Sequence, residues 1–150
     1  MVISTKGRYA LRVMIELAGA EPGTYTALRD VAGRQEISEK YLEAIVKKLG
    51  KAGLVSGLRG KGGGYRLAAD PDRCTVGDIL RAAEDSLAPV TCLGLDGSCP
   101  RRDRCATLPI WAGLEKRIAD YLDGITLSDL AAQARALEGQ EPSPARERSE

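Results

Sequence analysis

Histidine and phenylalanine are both absent from this chain of 150 residues. Without an imidazole, the chain can form no Ser-His-Asp triad, no Cys-His nucleophile pair and no zinc site of the kind that needs histidine. The aromatic residues are five tyrosines and one tryptophan, so a core must be built from Leu, Ile, Val and Ala. These absences argue against a conventional hydrolase, and we predict that the chain is not an enzyme and has no catalytic residues.

A long hydrophobic run is also missing. The first 19 residues carry Lys6, Arg8, Arg12 and Glu16, which fits neither a signal peptide nor a membrane span. We therefore expect a cytoplasmic protein with no membrane partner, whose thiols are normally reduced. An apolar content of 43% and a charged content of 29% suit one globular unit with its own core.

The net charge of +1 hides an asymmetry along the chain. Residues 1–66 contain 12 Lys or Arg and 6 Asp or Glu, which gives +6, and residues 67–150 contain 10 and 15, which gives −5. A positive half is the electrostatic footprint that binding to nucleic acid requires. We expect the negative half to face away from DNA.

The stretch from residue 38 to residue 67 reads as a helix, a stop and a hairpin. Ser38 is a good N-cap, and Gly53 can take the left-handed conformation that ends a helix. One apolar stripe at helical spacing contains Tyr41, Leu42, Ile45, Val46 and Leu49. Residues 54–58 and 65–67 look like two strands joined by a loop of arginine, lysine and glycines.

A polar helix face followed by a basic hairpin is typical of the recognition helix and wing of a winged helix-turn-helix. Such a helix fits the major groove of DNA, and the wing's cations suit phosphates or a narrow minor groove. The candidate DNA-binding residues are Ser38, Lys40, Tyr41, Glu43, Lys47, Arg59 and Lys61. Two other interpretations are a merely solvated lysine face and a glycine-rich nucleotide loop, although such loops open a helix and this one leads into a strand.

The remaining chain predicts a mainly α fold with a small β wing. Ser4 or Thr5 can cap a first helix, Thr26 can cap a second, and Thr75 with Asp78 resembles a capping box. Helical spacing resumes from Leu108, and that helix is long and one-sided. Because helix-turn-helix proteins commonly bind DNA as two-fold dimers, we favour pairing of this helix with its copy in a homodimer.

These elements predict four regions. Residues 1–85 form a winged helix-turn-helix DNA-binding domain, and residues 86–106 form a cysteine-containing loop. Residues 107–137 form dimerisation helices. Residues 138–150 are rich in Glu, Pro, Ser and Arg, cannot bury a core, and are expected to be a disordered tail.

Three cysteines, Cys92, Cys99 and Cys105, lie within fourteen residues of one another. Glycines and a proline between them give the loop freedom to point three sulfurs inward, and nearby arginines would favour thiolates. Three thiolates so close in a cytosolic chain suggest a metal site, but the spacing is not the paired two-residue spacing of zinc ribbons. An iron–sulfur cluster, zinc, thiol redox chemistry and no chemistry all remain open from spacing alone.

Several segments together resemble the IscR-like family of winged-helix repressors. They are STKGRYAL, ISEKYLE, LGKAGLV, RGKGGGY, the Thr75-Val-Gly-Asp78 turn and the cysteine loop. The resemblance spans about residues 1–137. It implies a dimeric bacterial transcription regulator that binds an operator in double-stranded DNA and holds an iron–sulfur cluster, 2Fe–2S or 4Fe–4S, on Cys92, Cys99 and Cys105. It also implies recognition-helix contacts from Ser38, Tyr41 and Glu43, and a wing contact from Arg59.

The fourth cluster ligand is unknown. Where the namesake of the family has a histidine this chain has Leu108, and where other members use an acidic residue near the N-terminus it has Arg8. Asp96, Asp103, another carboxylate, a small molecule or Cys74 could serve. Cys74 precedes a helix at a position where an apolar residue would be expected, so we predict that it packs in the core rather than binding metal.

The sequence supports the hypothesis that cluster assembly sets the spacing of two recognition helices, so that iron, oxygen or nitric oxide would control transcription. Glu43 could discriminate between operators by accepting from cytosine, or could only pair with Lys47 one helical turn away. Two alternatives remain: a winged-helix regulator with zinc or a thiol switch, and a regulatory partner that docks on a metabolic enzyme through its acidic half.

Overall fold

The computed structural model describes residues 3–94 and 99–140. It contains helices α1 (Thr5–Gly19), α2 (Leu28–Gln35) and α3 (Glu39–Lys51), strands β1 (Val55–Leu58) and β2 (Gly64–Leu67), and helices α4 (Val76–Ala83), α5 (Leu108–Asp123) and α6 (Leu127–Glu138). Two short 3₁₀ turns, Thr91–Leu93 and Arg102–Arg104, lie between α4 and α5. The mainly helical fold with a small two-stranded wing is confirmed.

The first helix begins as predicted, and the second does not. Ser4 caps α1, its hydroxyl accepting from the N–H of Lys6. The prediction that Thr26 caps the second helix is wrong, because α2 starts after Ala27 and has no side-chain cap. Thr26 instead exchanges two backbone hydrogen bonds of 2.8 Å with Tyr65 in the wing.

Helices α2 and α3 form the helix-turn-helix. The turn between them passes through Glu36, a non-glycine residue in the left-handed conformation with φ of 55°, and the N–H of Ile37 bonds back to Ala32. Ser38 caps α3 by accepting from the N–H of Tyr41 at 3.1 Å, as predicted. Gly53, with φ of 75°, follows the end of α3 and turns the chain into the wing.

The wing is an antiparallel hairpin in which Val55 pairs with Leu67 and Leu58 pairs with Gly64. Its first strand starts one residue later than predicted, and its second starts one residue earlier. The bridge between Thr26 and Tyr65 ties the hairpin to the chain that enters α2. The wing therefore has a fixed position relative to the helix-turn-helix.

The core lies where α1, α3, α4 and α6 meet. Its fully buried side chains include Met14, Leu42, Leu49, Ile79 and Leu127. Reciprocal capping boxes start both α4, through Thr75 and Asp78, and α6, through Thr126 and Asp129. The first box confirms the predicted motif, with Asp in the place that Glu usually takes.

Helix α5 is the exception to this packing, because none of its residues is buried. Its side chains Ile110 and Tyr121 are 60% and 70% exposed. Helix α6 does not continue outward but returns to pack against α1. Among the described helices, none is both long and apolar enough to cross a membrane. The expected tail lies outside the described residues from position 141 on, and the four domain boundaries stay predictions.

Candidate nucleic-acid interface and cysteine segment

A cleft of about 990 Å³ separates helix α3 from the wing. Its lining combines side chains of α3, the wing loop and the start of α2, namely Arg29, Glu39, Glu43, Lys47, Arg59 and Lys61 with the wing glycines. All six of these side chains belong to exposed residues. Four are cationic, so the cleft carries the positive charge that a phosphate backbone attracts.

The structure places most of the predicted DNA-binding residues on this surface. Glu43, Lys47, Arg59 and Lys61 line the cleft, and Lys40 is exposed on the outward side of α3. Within the described chain, Glu43 and Lys47 form no ion pair, although they lie one helical turn apart. Glu43 is therefore exposed to whatever enters the cleft.

Ser38 and Tyr41 have structural contacts of their own. The Ser38 hydroxyl accepts from a backbone N–H, and its own hydrogen stays available to donate. Tyr41 is half-buried, and its ring meets Tyr9 of α1 edge-on, with 5.7 Å between the ring centroids. Tyr41 thus holds α3 against α1, whether or not it also contacts DNA.

The wing loop needs glycine because two backbone segments approach it closely. A Cβ at position 63 would lie 2.3 Å from the carbonyl oxygen of Leu58, and one at position 64 would lie 2.2 Å from that of Thr26. Gly64 also has a φ of 153°, which other residues avoid. These two positions fold Arg59 and Lys61 into a tight, projecting tip.

Sequence reasoning missed two features of this surface. Arg29 lies in the cleft but belongs to α2, and its position in the sequence gave no signal for this. Lys48 was expected to be solvated with its neighbours, yet its Nζ lies 3.3 Å from the carbonyl oxygen of Ala83 and 3.5 Å from Asp85. Lys48 therefore joins the recognition helix to the end of α4.

Cys92, Cys99 and Cys105 all lie in the connection between α4 and α5, and all three are partly exposed. The Sγ of Cys105 lies 3.3 Å from the hydroxyl of Thr107. Hydrogen bonds from Thr107 and from the N–H of Leu108, with the charge of Arg101, lower the pKa of the Cys105 thiol. In the ranges 3–94 and 99–140, no three thiols or carboxylates stand close enough together to hold a metal ion.

Cys74 differs from the other three cysteines. It is 4% exposed and packs within the core, as its sequence position predicted. Burial, with the nearby Asp78 carboxylate, raises the pKa of its thiol. Cys74 is thus a neutral side chain in an apolar environment, which is unsuited to ligating a metal.

The other candidates for a fourth ligand gain no support from the structure. Asp103 is exposed in the turn Arg102–Arg104. Arg8 donates to Thr5 within α1, at 3.2 Å, and Leu108 is the first residue of α5. Asp96 lies outside the described residues.

A helix-turn-helix whose second helix shares a cationic cleft with a glycine-tipped hairpin defines the chain as a winged-helix DNA-binding protein. Residues 3–133 match the model of the Rrf2 family, described as an iron-dependent transcriptional regulator. The chain belongs to this Rrf2 family of transcriptional regulators.

Similar proteins support the assignment. The chain is 41% identical over 138 residues to the HTH-type transcriptional regulator IscR of Vibrio parahaemolyticus serotype O3:K6, which covers 92% of this chain and 82% of that protein. Among solved structures, IscR of T. potens is 37% identical with a TM-score of 0.71, covering 95% of this chain and 93% of that one. CymR, the global cysteine regulator of B. subtilis, is 40% identical with a TM-score of 0.70, covering 89% and 98%. These relatives are named as regulators rather than enzymes.

Proposed function

We propose that this chain is a homodimeric bacterial regulator, most simply a repressor, whose binding to an operator is controlled by an iron–sulfur cluster on Cys92, Cys99 and Cys105. One observation carries the proposal. The three partly exposed thiols lie on the connection that joins the DNA-reading unit, which ends with α4, to the solvent-exposed helix α5. A group bound there acts on the link between DNA reading and dimerisation. As a regulator of transcription, the chain would act in the cytoplasm.

The exposed apolar face of α5 supports the dimer. Ile110, Leu114 and Tyr121 are 60%, 42% and 70% exposed. Three large apolar side chains on one helix, outside any core, are typical of a surface that a second copy covers. In a two-fold dimer, the direction of α5 would set the separation of the two copies of α3, and operator half-sites have a fixed spacing.

The residues present fit an iron–sulfur cluster in their donor chemistry. Thiolates are the ligands that hold such clusters, and the hydrogen bonds to Cys105 favour its thiolate form. When bound, the cluster supplies a group that responds to iron supply, oxygen and nitric oxide. The three sulfurs do not stand together beforehand among the described residues. Ligation would therefore rearrange the cysteine segment, and the fourth ligand stays open.

A contact on α3 gives this rearrangement a route to DNA. Lys48 of the recognition helix holds the carbonyl of Ala83 and the carboxylate of Asp85, at the point where the cysteine segment begins. A change in the direction of the segment would pull on these groups. We expect the position of α3, and hence operator affinity, to depend on the state of the cysteines.

The test combines an anaerobic absorption spectrum with a DNA footprint of the same sample, before and after removal of the cluster. We expect visible absorption with iron and sulfide, and a footprint that differs between the two forms. Replacing Cys92, Cys99 or Cys105 by Ala should bleach the protein. Identical strength and site choice by coloured and colourless protein would contradict the proposal.

A thiol switch without a cluster is the second candidate, favoured by the lowered pKa of Cys105. One solved relative, CymR of Staphylococcus aureus, is 34% identical and is described in an oxidized form. Colourless protein whose footprint changes with a mild oxidant and returns with a reductant would support this candidate. Colourless protein that carries zinc would support a structural metal. Docking of the acidic half on a metabolic enzyme stays a prediction, which recovery of one enzyme in equal amounts would support.

A further inference from the structure

Helix α3 has three separate sides, because successive residues rotate by about 100° around its axis. One side is buried in the core and contains Leu42, Ile45, Val46 and Leu49. A second side faces the cleft and contains Glu39, Glu43 and Lys47. A third side, roughly opposite the second, contains Tyr41, Ala44 and Lys48. Between the second and third sides, Lys40 and Lys51 point outward to solvent.

Arg29 borders the cleft side of α3. It comes from the first turn of α2, and it lines the same cleft as Glu43 and Lys47. The residue is exposed, and its side chain enters no ion pair in the portion of the chain that is described. No neighbouring carboxylate therefore holds its charge in place.

Lys6 borders the opposite side of α3. It comes from the first turn of α1, and it lines a small cavity of about 100 Å³ with Tyr41, Ala44 and Lys48. Lys6 is exposed, and within residues 3–94 and 99–140 it too forms no ion pair. Lys48 on the same side already binds the end of α4, so Lys6 is the cation available at this edge.

We propose that Arg29 and Lys6 contact the two phosphate strands that border the major groove, one strand on each flank of α3. The inference rests on insertion of α3 into the groove, as the proposed function requires. The major groove is about 12 Å wide and has one sugar–phosphate backbone along each edge. A helix inserted with Lys40 and Lys51 deepest brings its two flanks to these two edges, where a cation from each neighbouring helix meets one backbone.

Contacts of this kind fix the register of the protein and carry no sequence information. Each one releases bound counterions, so the logarithm of the binding constant falls more steeply with the logarithm of salt concentration. Arg29 and Lys6 would therefore supply affinity for every duplex equally, while residues on α3 and the wing select the sequence.

The experiment measures binding of the full, anaerobically purified chain to fluorescent duplexes by anisotropy over a series of KCl concentrations. The probes are three duplexes of about 30 base pairs with unrelated sequences, long enough for two half-sites one helical turn apart. The variants are Arg29→Ala, Lys6→Ala and the double variant, with Arg29→Lys and Lys6→Arg as charge-preserving versions. Arg135→Ala is the matched control, because it removes one exposed positive charge from α6.

Each alanine variant should weaken binding about fivefold to tenfold and lower the salt slope by about one for each phosphate that a subunit no longer neutralises. The weakening should be the same on all three duplexes, and the charge-preserving variants should keep the wild-type slope. Slopes that match the Arg135→Ala control would overturn the inference, and so would a weakening confined to one sequence. If the wild-type chain binds no duplex, DNA binding itself fails, which is a different result.

Discussion

The carboxylate of Glu84 caps the first helix from the other end of the domain, and Gly7 makes room for it. Its Oε1 accepts from the N–H of Gly7 at 3.2 Å and from both the N–H and the hydroxyl of Ser4 at 2.7 Å. Position 7 must be glycine here, since a Cβ would lie 2.5 Å from this oxygen and 3.0 Å from Leu80. The contact fixes the start of α1 against the end of α4, one residue before Asp85 and the cysteine segment.

Gly7→Ala should therefore destabilise the protein, although alanine is the better helix former. The methyl group expels the Glu84 carboxylate and leaves helix N–H groups without their partner, for a net loss of about 1–2 kcal/mol. Urea denaturation measures this loss. Gly33→Ala in α2 is the control, because nothing lies within 4 Å of the Cβ it would add, and it should stabilise by about 0.5–1 kcal/mol. If Gly7→Ala costs as much in a Glu84→Ala background, the clash with the carboxylate is not the cause.

Gly64→Ala should impair DNA binding more than it impairs folding. The added Cβ would lie 2.2 Å from the carbonyl oxygen of Thr26, so the bridge that anchors the wing must open. The wing would then leave its place beside α3 while the helical core stays intact. The measurements are anisotropy on a mixed-sequence duplex and the thermal midpoint, with Gly19→Ala as a control at an open position. A variant that binds like the wild type would show that the bridge does not position the wing.

Cys74→Ala should keep any visible colour and lose stability. Its sulfur packs in the core, so truncation leaves a small cavity that costs on the order of 1 kcal/mol. Cys74→Ser should cost more, about 1–3 kcal/mol, because it brings a hydroxyl into an apolar site. Anaerobic spectra and urea curves of the two variants are the measurements. Bleaching of Cys74→Ala would identify Cys74 as the missing ligand.

Asp78 should make stability depend on acid. The N–H of Thr75, which donates to its carboxylate, lowers the pKa of Asp78 below the ordinary value of 3.8, and Arg81 adds to the effect. A carboxyl whose folded pKa is depressed stabilises the fold above its unfolded pKa, and that stability is lost as pH falls through the folded pKa.

Asp78→Asn should consequently be less stable than the wild type at neutral pH. The two proteins should converge as the pH falls from about 4 toward 2, the range in which the carboxylate is protonated. Urea midpoints at a series of pH values measure the difference. A gap that stays constant down to pH 2 would show that the ionised carboxylate is not what caps α4.

Much of this molecule was determined by the sequence alone. The cap at Ser38, the apolar stripe of α3, the stop at Gly53 and the glycine-tipped wing are local signals, and each is read from a few neighbouring residues. The capping box at Thr75 and the packing of Cys74 followed in the same way. The resemblance carried by those segments led to the family, which the comparisons confirm.

Tertiary structure alone decided the rest, because it depends on which distant segments meet. Thr26 looked like a helix cap, but its backbone is used by Tyr65 across the wing, and α2 starts after it. Arg29, Lys6 and Lys48 had no distinguishing signal in the sequence, since an exposed cation looks the same wherever it lies. Packing brings the first two to opposite flanks of α3 and draws the third to the carbonyl of Ala83, and such long-range placements follow from the burial of the whole core rather than from local propensity.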